Sequence, residues 1–350
     1  MASQSNLYAG IAGYVGRAGQ QGTVGVFSRL AGAESWSHVI KDHECWAVHI
    51  HPTDPSVVFA GTSDGVYRST DAGKTFARTD FPKDGIQIWS FLVDHSNPKR
   101  IFAGGSPITM YRSEDCGETW AKLANPGMPD RAVMPFACRV MRMAQHPTKP
   151  ETIYGALEVN GVMRSDDGGD SWTDISTDLI RLAQQPHLKS KIVSNTYNEG
   201  MLDSHAIAIS PTDPDGVILA VRMGLFHTAD RGETWQDMEV GRFSPNTYGR
   251  DIKVSPQDGN TMYAALSVAA ASHDGGLFRS QDGGQSWKRF DKVKVHGTIM
   301  SVALHNKNPN AVYLGARYDG EVYGTEDGGD TWQSMPLPAG VKDIYSLAVG

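Results

Sequence analysis

Seven residues of this 350-residue sequence have side chains suited to binding an anion and moving protons. The guanidinium groups of Arg139, Arg142 and Arg250 present paired N–H donors that fit the oxygens of a carboxylate or phosphate. The groups that can give or take a proton belong to Glu44, Asp203, His205 and Tyr248. These residue types predict an anion-binding site equipped for acid–base chemistry.

Three aromatic residues extend this candidate site. Trp46, Trp89 and Tyr345 offer flat apolar surfaces on which a ring of a substrate could stack. A purely structural alternative stays open, in which the arginines pair with acidic neighbours and fill the space without function. The acidic partners in that alternative are Glu44, Asp203, Asp251 and Asp343.

Three histidines are weak candidates for metal ligands. The repeats described below place His43, His205 and His296 near the channel mouth in three different blades, and neutral imidazoles bind zinc and other transition metals. No HxxxH motif supports such a site, and the one HxH pair, His49 and His51, belongs to a single strand. We therefore expect no cofactor, with a divalent metal as the alternative.

The elements that position these residues are internal repeats. An eight-residue pattern, Ser/Thr-x-Asp-x-Gly-x-Ser/Thr-aromatic, recurs six times, and a degenerate seventh copy ends at Trp36. The aromatic positions are 36, 76, 120, 172, 235, 287 and 332. Spacings of this size, with alternating apolar residues and turn residues between the copies, are typical of four-stranded propeller blades.

The pattern resembles the Asp-box (BNR) repeat of sialidases, some glycoside hydrolases, sortilin-type receptor domains and photosystem assembly factors. The resemblance covers nearly the whole chain and implies that the box is a structural turn between the third and fourth strands of a blade. The residue types agree with that role. The Asp carboxylate can accept hydrogen bonds from N–H groups of its own turn, and Gly permits a positive φ.

The candidate residues emerge when the first strands of the blades are aligned on their apolar core. The core position is apolar in every repeat: Val48, Phe91, Met143, Ile207, Ile252, Val302 and Leu347. Positions just before it vary from repeat to repeat, as in the set Trp46, Trp89, Met141, His205, Arg250, Met300 and Tyr345. A residue with a purely structural role would be the same type in each repeat, whereas these residues vary. Because the first strands line the channel of a propeller, these positions predict a site at the channel mouth.

The two ends of the chain predict how the ring closes. The N-terminus supplies three strands without a first strand, and DIYSLAVG at the C-terminus supplies a first strand alone. We expect an all-β, seven-bladed propeller with a composite closing blade, forming one domain over residues 1–350. Residues 173–203 should form an inserted cap with a short helix, either a lid on the channel or a helix packed on the rim.

Composition limits the function classes. The formal charge is −7 and no basic cluster is present, so we expect no nucleic-acid partner. No stretch approaches 18 apolar residues, and the start of the sequence lacks the features of a signal peptide, which predicts a cytoplasmic protein without a membrane partner. The three cysteines lack CxxC spacing and are expected to be reduced.

Two functions from different classes remain. The first is a hydrolase or lyase, in the manner of a glycoside hydrolase, acting on an anionic or ring-bearing small molecule at the channel mouth. The second is a non-catalytic platform that binds a protein or peptide. Sialidase activity is not expected, because the Phe/Tyr-Arg-Ile/Leu-Pro motif of sialidases in this repeat family is absent.

Overall fold

A computed structural model describes residues 5–13, 22–131, 136–190, 197–317 and 320–350. Its strands, in chain order, form one partial blade, six complete blades and a final strand. The N-terminal strands are β1 (Leu7–Ile11), β2 (Gly25–Arg29) and β3 (Ser37–Ile40). Blade 1 contains β4 (Cys45–Ile50), β5 (Val58–Thr62), β6 (Gly65–Ser69) and β7 (Ala77–Arg78). Blade 2 contains β8 (Gln87–Val93), β9 (Ile101–Ser106), β10 (Met110–Ser113) and β11 (Ala121–Lys122).

Blade 3 contains β12 (Val140–Gln145), β13 (Ile153–Leu157), β14 (Gly161–Ser165) and β15 (Thr173–Asp174). Blade 4 contains β16 (Ser204–Ser210), β17 (Asp213–Val221), β18 (Gly224–Thr228) and β19 (Gln236–Asp237). Blade 5 contains β20 (Tyr248–Val254), β21 (Met262–Ser267), β22 (Gly275–Ser280) and β23 (Lys288–Arg289). Blade 6 contains β24 (Ile299–Leu304), β25 (Val312–Ala316), β26 (Glu321–Thr325) and β27 (Gln333–Pro336). The last strand is β28 (Ile344–Val349).

The closing blade is composite, as the sequence predicts. Strand β28 pairs antiparallel with β1, and the blade has the order β28-β1-β2-β3. Backbone hydrogen bonds between Asn6 and Gly350, at 2.8 and 3.1 Å, extend this pairing beyond the strands. The seven-bladed propeller is therefore confirmed, and the closing blade covers the edges that its two parts would otherwise expose.

The Asp-boxes form one repeated network of hydrogen bonds. In the first full copy, Asp71 accepts from the Ser69 hydroxyl at 2.7 Å, the Thr75 N–H at 2.9 Å and the Thr75 hydroxyl at 2.6 Å. The other five full copies make the same three contacts. Gly73 has a φ of +72°, and a Cβ there would lie 2.1 Å from the Tyr8 ring. The boxes are therefore structural turns.

The seven inner strands share a second repeated feature, a β-bulge near their first residues. In blade 1, Cys45 pairs with Thr62 and Ala47 with Gly61, so Trp46 is left without a partner residue. The residue omitted from pairing in the other blades is Trp89, Met141, His205, Arg250, Met300 or Tyr345. These are the residues that the sequence alignment of first strands groups together, and the bulge directs them differently from their neighbours.

The helix predicted within residues 173–203 is present, but its contacts are peripheral. Helix α1 (Thr177–Leu182) buries Leu179 and Leu182 between blades 3 and 4, and Asp178 accepts a 2.8 Å hydrogen bond from the N–H of Trp235. Short 3₁₀ turns follow at Pro186–Leu188 and Val240–Arg242. Residues 191–196 of the predicted cap lie outside the described residues, so the cap itself stays a prediction.

The cysteines and the helices give two further findings. Cys45, Cys116 and Cys138 are all free thiols. Burial raises the pKa of the Cys45 thiol to about 12, which makes it a poor nucleophile. Within the described ranges, no helix is long and apolar enough to cross a membrane.

Candidate functional site

The bulge residues of the inner strands form one layer across the channel, here called the bulge layer. It consists of Trp46, Trp89, Met141, His205, Arg250, Met300 and Tyr345, and none of them is more than 6% exposed. The Trp46 and Trp89 rings stack at 5.0 Å, and Tyr345 meets Trp89 edge-on at 5.7 Å. The aromatic surfaces predicted to stack on a ligand thus contact one another. Their role in substrate binding stays a prediction.

A polar cluster occupies the part of the mouth between blades 3 and 5. Arg139 lies 4.0 Å from the centre of the Trp89 ring and forms a 2.6 Å ion pair with Glu158. Asp203 pairs with Arg222 at 2.8 Å. Blades 3 and 4 thus supply one acid and one arginine each, but in opposite arrangement. In blade 3 the arginine precedes the inner strand and the acid follows the second strand, whereas in blade 4 the acid precedes the inner strand and the arginine follows the second strand.

His205 joins this cluster to blade 5. Its Nδ1 lies 2.7 Å from the carbonyl oxygen of Gly249, so Nδ1 carries a proton and donates it to that oxygen. The other ring nitrogen, Nε2, faces the Tyr248 hydroxyl at 3.2 Å and the Asp203 carboxylate at 3.3 Å. When His205 is neutral, its Nε2 accepts a hydrogen bond from the Tyr248 hydroxyl. When His205 is protonated, its Nε2–H donates a hydrogen bond to the Asp203 carboxylate.

Burial and charge separate the protonation states of Tyr248 and Asp203. Burial, the largest effect, raises the pKa of Tyr248 to about 12, so the phenol keeps its proton at neutral pH. Burial also acts to raise the pKa of Asp203, but His205 and Arg222 outweigh it and hold that pKa below its usual range. The cluster therefore contains a protonated phenol and an ionised carboxylate joined by one imidazole, which is a proton relay.

Arg250 lies beside this relay, and its positive charge has no directly contacting partner among the described residues. It is 6% exposed, and no described residue accepts a hydrogen bond or forms an ion pair with its guanidinium. It occupies the bulge of β20 beside the bulge of β16 that holds His205, and Tyr248 lies two residues before it, so Arg250 is next to the relay. Because its N–H donors have no acceptor among the described residues, this guanidinium is a candidate for binding an anion.

Two predicted site residues lie away from the cluster. Glu44 is on blade 1, where its carboxylate accepts a 2.7 Å hydrogen bond from the Gly13 N–H. Arg142 donates to the Met141 carbonyl oxygen at 2.6 Å and lines a cavity on the other side of the bulge layer. The structure thus joins Arg139, Asp203, His205, Tyr248 and Arg250 but not these two.

The structural alternative, in which arginines pair with acids, describes part of the mouth. Asp203 pairs with Arg222, and Asp343 lies 3.7 Å from Arg317. Asp251 contacts Lys253 rather than an arginine, at 3.4 Å. Arg139 and Asp203 are therefore both in ion pairs, although with Glu158 and Arg222 rather than with the partners that alternative named, whereas Arg250 has no ion pair with a described residue.

The three candidate metal ligands are not gathered into one site. His43 lies 4.0 Å from Asp64, and His205 belongs to the polar cluster. Across the described ranges, the single group of three potential ligands is Glu158, Asp203 and His205, whose ligand atoms lie within 4.8 Å of one another. Both carboxylates of this group already face an arginine, so the donor set does not favour a cation.

Sequence reasoning missed Glu158 and Arg222, although a pattern in the sequence marks them. Both directly follow the second strand of their blade, a position occupied in the other blades by Ala12, Ser63, Pro107, Val268 and Arg317. This position also varies between repeats, with arginine recurring at Arg222 and Arg317. The comparison that identified the inner-strand residues would have identified Glu158 and Arg222 if applied to the second strands.

Comparison with known proteins gives a family and a fold. The model of the Sortilin-Vps10 family (sortilin, neurotensin receptor 3) matches residues 64–201 and 275–348, more than half of the chain. A xyloglucanase from a Paenibacillus species is 25% identical over 168 residues, 44% of this chain and 14% of that protein. The chain spans between 14 and 28% of the length of the curated xyloglucanases it matches.

Solved structures show the same propeller in proteins of different function. YCF48 bound to D1 peptide matches with a TM-score of 0.52 and 14% identity, covering 83% of this chain and 80% of that one. An ancestral GH74 enzyme matches with a TM-score of 0.55 and 14% identity, covering 99% of this chain and 57% of the enzyme. At these identities the likeness shows the fold alone, so function must be argued from the site.

Proposed function

The chain belongs to the Sortilin-Vps10 family, and on that premise we propose that it is a hydrolase or lyase for a small anionic substrate, bound at the channel mouth between blades 3 and 5. One observation carries the proposal: the buried guanidinium of Arg250 has no described partner and lies next to the relay of Asp203, His205 and Tyr248. The anionic group of the substrate supplies the missing partner.

The relay assigns the proton transfers. Tyr248, held protonated by burial, is the general acid that donates to a developing negative charge or leaving group. His205 Nε2, at 3.2 Å from the phenol oxygen, gives Tyr248 a replacement proton, and His205 regains its own proton from water. Asp203, kept ionised, stabilises the protonated imidazole and holds it in place through the 3.3 Å contact. Arg250 positions the substrate so that its reacting atom faces the phenol.

The geometry argues against a two-carboxylate glycosidase reaction, although xyloglucanases are among the relatives. Glu158 and Asp203 are near enough to serve as such a pair, with ligand atoms within 4.8 Å. That mechanism needs one acid with a raised pKa, whereas the pKa of Asp203 is lowered and Glu158 is bound to Arg139 at 2.6 Å. A small anion therefore fits this site better than a neutral polysaccharide does.

The first test is thermal unfolding against small carboxylates, phosphates and sulfates, because a ligand that binds only the folded state raises the midpoint. The informative variant is Arg250→Met, since Met141 and Met300 occupy the equivalent position in blades 3 and 6. We expect one anion class to stabilise the wild type and to bind about 10- to 100-fold more weakly to this variant, the loss typical of a charged hydrogen bond.

The matched control is Arg242→Ala, which removes an exposed arginine paired only with Glu239. It should bind the anion as the wild type does. Stabilisation by none of the anions, or equal stabilisation of wild type and Arg250→Met, would contradict the proposal. Compounds of the binding class then serve as candidate substrates, with product formation followed by mass spectrometry.

A second candidate function, a peptide-binding platform, rests on the closed channel. Among the described residues, apolar side chains of the bulge layer pack against one another across the channel, as a platform requires, and one propeller of the same fold is YCF48 bound to D1 peptide. Against it, the large hydrophobic side chains that the described residues expose are Tyr197 and Val268, which do not make a broad apolar patch. A peptide library that selects a ligand blocked by Val268→Glu but not by Arg250→Met would favour the platform.

A further inference from the structure

A second cavity lies in the channel on the side of the bulge layer away from the mouth. Its volume is about 450 Å³, within the usual range of small-molecule pockets. It ends at Pro52, His95, Pro256 and Asn306, which follow the inner strands, so it opens on the face that carries the Asp-boxes. Apolar side chains such as Phe91, Met143 and Leu347 form most of its wall.

Two side chains on this wall break the repeat. The position four residues after Cys45 in blade 1, with its equivalents in the other blades, is small or apolar in five blades: Leu92, Ala144, Ala208, Ala303 and Ala348. In the remaining two blades it is His49 and Lys253, and both line the cavity. Arg142 from blade 3 lines it as well, so polar groups from blades 1, 3 and 5 converge on one apolar space.

The basic side chains that line the cavity outnumber the carboxylates close to them. No aspartate or glutamate is among the described residues that line the cavity. Asp251, just outside it, contacts Lys253 at 3.4 Å but also accepts hydrogen bonds from the N–H groups of Ile252 and Val302. The Arg142 guanidinium contacts only carbonyl oxygens, those of Trp89 and Met141. One carboxylate thus faces two basic side chains, those of Arg142 and Lys253.

His49 adds a neutral donor or acceptor to the same space. No described residue forms a hydrogen bond with its ring. Burial and the nearby charge of Lys253 lower the pKa of His49 to about 4, so the ring is uncharged at neutral pH. Because His49 and Lys253 come from blades on different sides of the channel and line the same cavity, both reach toward its centre.

We propose that this cavity binds a small organic carboxylate with an apolar body, which enters from the box face. The carboxylate contacts Lys253 and Arg142, the His49 ring donates or accepts a further hydrogen bond, and the apolar body lies against Phe91, Met143 and Leu347. This site is separate from the proposed catalytic site, because the bulge layer lies between them and Arg250 does not line the cavity.

The test uses hexanoate as the probe and hexanol as its uncharged counterpart, with binding measured by calorimetry. The variants are Lys253→Ala and Arg142→Ala, which introduce the residue that other blades carry at the same positions. Lys41→Ala, at an exposed lysine, is the matched control. We expect hexanoate to bind at least 10-fold more tightly than hexanol, and each cavity variant to weaken hexanoate binding at least 10-fold while the control does not.

A second readout does not depend on any variant. Carbon-bound proton signals of the His49 ring, assigned by NMR, should shift when hexanoate is added to the wild-type protein. The absence of both binding heat and a His49 shift would overturn the proposal. So would binding that Arg250→Met abolishes and Lys253→Ala leaves unchanged, since the anion would then lie at the mouth. Binding retained in Arg250→Met and lost in Lys253→Ala would support the cavity.

Discussion

The Asp-boxes and the bulge layer repeat in different ways. In every full box, the same Asp accepts the same hydrogen bonds from the same Ser or Thr positions, so side chains and backbone repeat together. In the bulge layer, the backbone irregularity repeats in all seven blades, but the side chain it directs inward differs in most of them. The boxes maintain the blades, whereas the bulges give each blade a position whose side chain can vary independently.

This difference separates structural from functional residues in a repeat protein. Met141 and Met300 show that an apolar side chain satisfies the bulge position. His205 and Arg250 at the same position therefore need another explanation than packing, and the relay with Tyr248 provides one. The predictions below test this separation, beginning with the largest expected effect.

The largest effect is expected from Tyr248→Phe. This change removes the proposed general acid but keeps the ring, so turnover of an identified substrate should fall about 100- to 10,000-fold. The midpoint of thermal unfolding should change little, because one hydrogen bond to His205 contributes about 1 kcal/mol. Steady-state rates and calorimetry check both expectations. Turnover within threefold of wild type would remove Tyr248 from the mechanism.

A box glycine should affect stability rather than activity. Gly73→Ala forces a positive φ on alanine and places its Cβ 2.1 Å from the buried Tyr8 ring. We expect a loss of about 2–5 kcal/mol in the free energy of unfolding. Gly32→Ala in the degenerate box is the matched control, since its φ is also positive but its Cβ meets open space. Denaturant unfolding should show a smaller loss there, about 1 kcal/mol. Equal losses at both sites would show that the contact with Tyr8 is unimportant.

The boxes should also give the protein an acid-dependent stability. The Thr75 hydroxyl and N–H lower the pKa of Asp71 to about 2, and other box aspartates are similarly lowered. A carboxyl whose pKa is lower in the folded state stabilises the fold above its unfolded pKa of about 4, and this contribution disappears as the pH falls through about 2. The unfolding midpoint of the wild type should therefore fall between pH 4 and pH 2.

A box variant isolates this contribution. Asp71→Asn should lower the unfolding midpoint at pH 7, and the difference from wild type should shrink as the pH approaches 2. Asp42→Asn, at an exposed aspartate that belongs to no box, should not show the same convergence. If the difference for Asp71→Asn were constant from pH 7 to pH 2, the box carboxylate would not be the titrating group.

The smallest effect is expected from removing metals. Glu158 pairs with Arg139 at 2.6 Å and Asp203 with Arg222 at 2.8 Å, so cationic groups already hold both carboxylates of the possible ligand set. We propose that the protein needs no metal, and that a chelator leaves both the unfolding midpoint and anion binding unchanged. A midpoint that falls with chelator and returns with zinc would contradict this.

The sequence predicts the propeller and the positions of its channel residues because both depend on local repeats. The alignment of first strands places Trp46, His205 and Arg250 at one position, and the bulge confirms that they are equivalent. Such an alignment does not show how deeply each side chain is buried or which residue it pairs with. Seven side chains converge on one axis, and whether they leave an opening depends on rotamers and volumes that no single strand reveals.

The pairing partners of the site residues were likewise not predicted by the alignment of first strands. Arg139 contacts Glu158 rather than the acids expected for it, because the residue after the second strand lies beside the start of the inner strand. The cavity lined by His49 and Lys253 was not predicted, since the sequence comparison considered only the positions nearest the mouth. Comparing every strand position across the blades would have singled out both pairs.

The central claim is that Arg250 binds an anion beside the proton relay. The most direct measurement is anomalous diffraction from a crystal soaked in selenate, which marks where an oxyanion binds. The account predicts a selenium peak within hydrogen-bonding reach of the Arg250 guanidinium, and no such peak in Arg250→Met. A crystal in which Arg250 instead pairs with a protein carboxylate, with no selenium peak beside it, would contradict the claim.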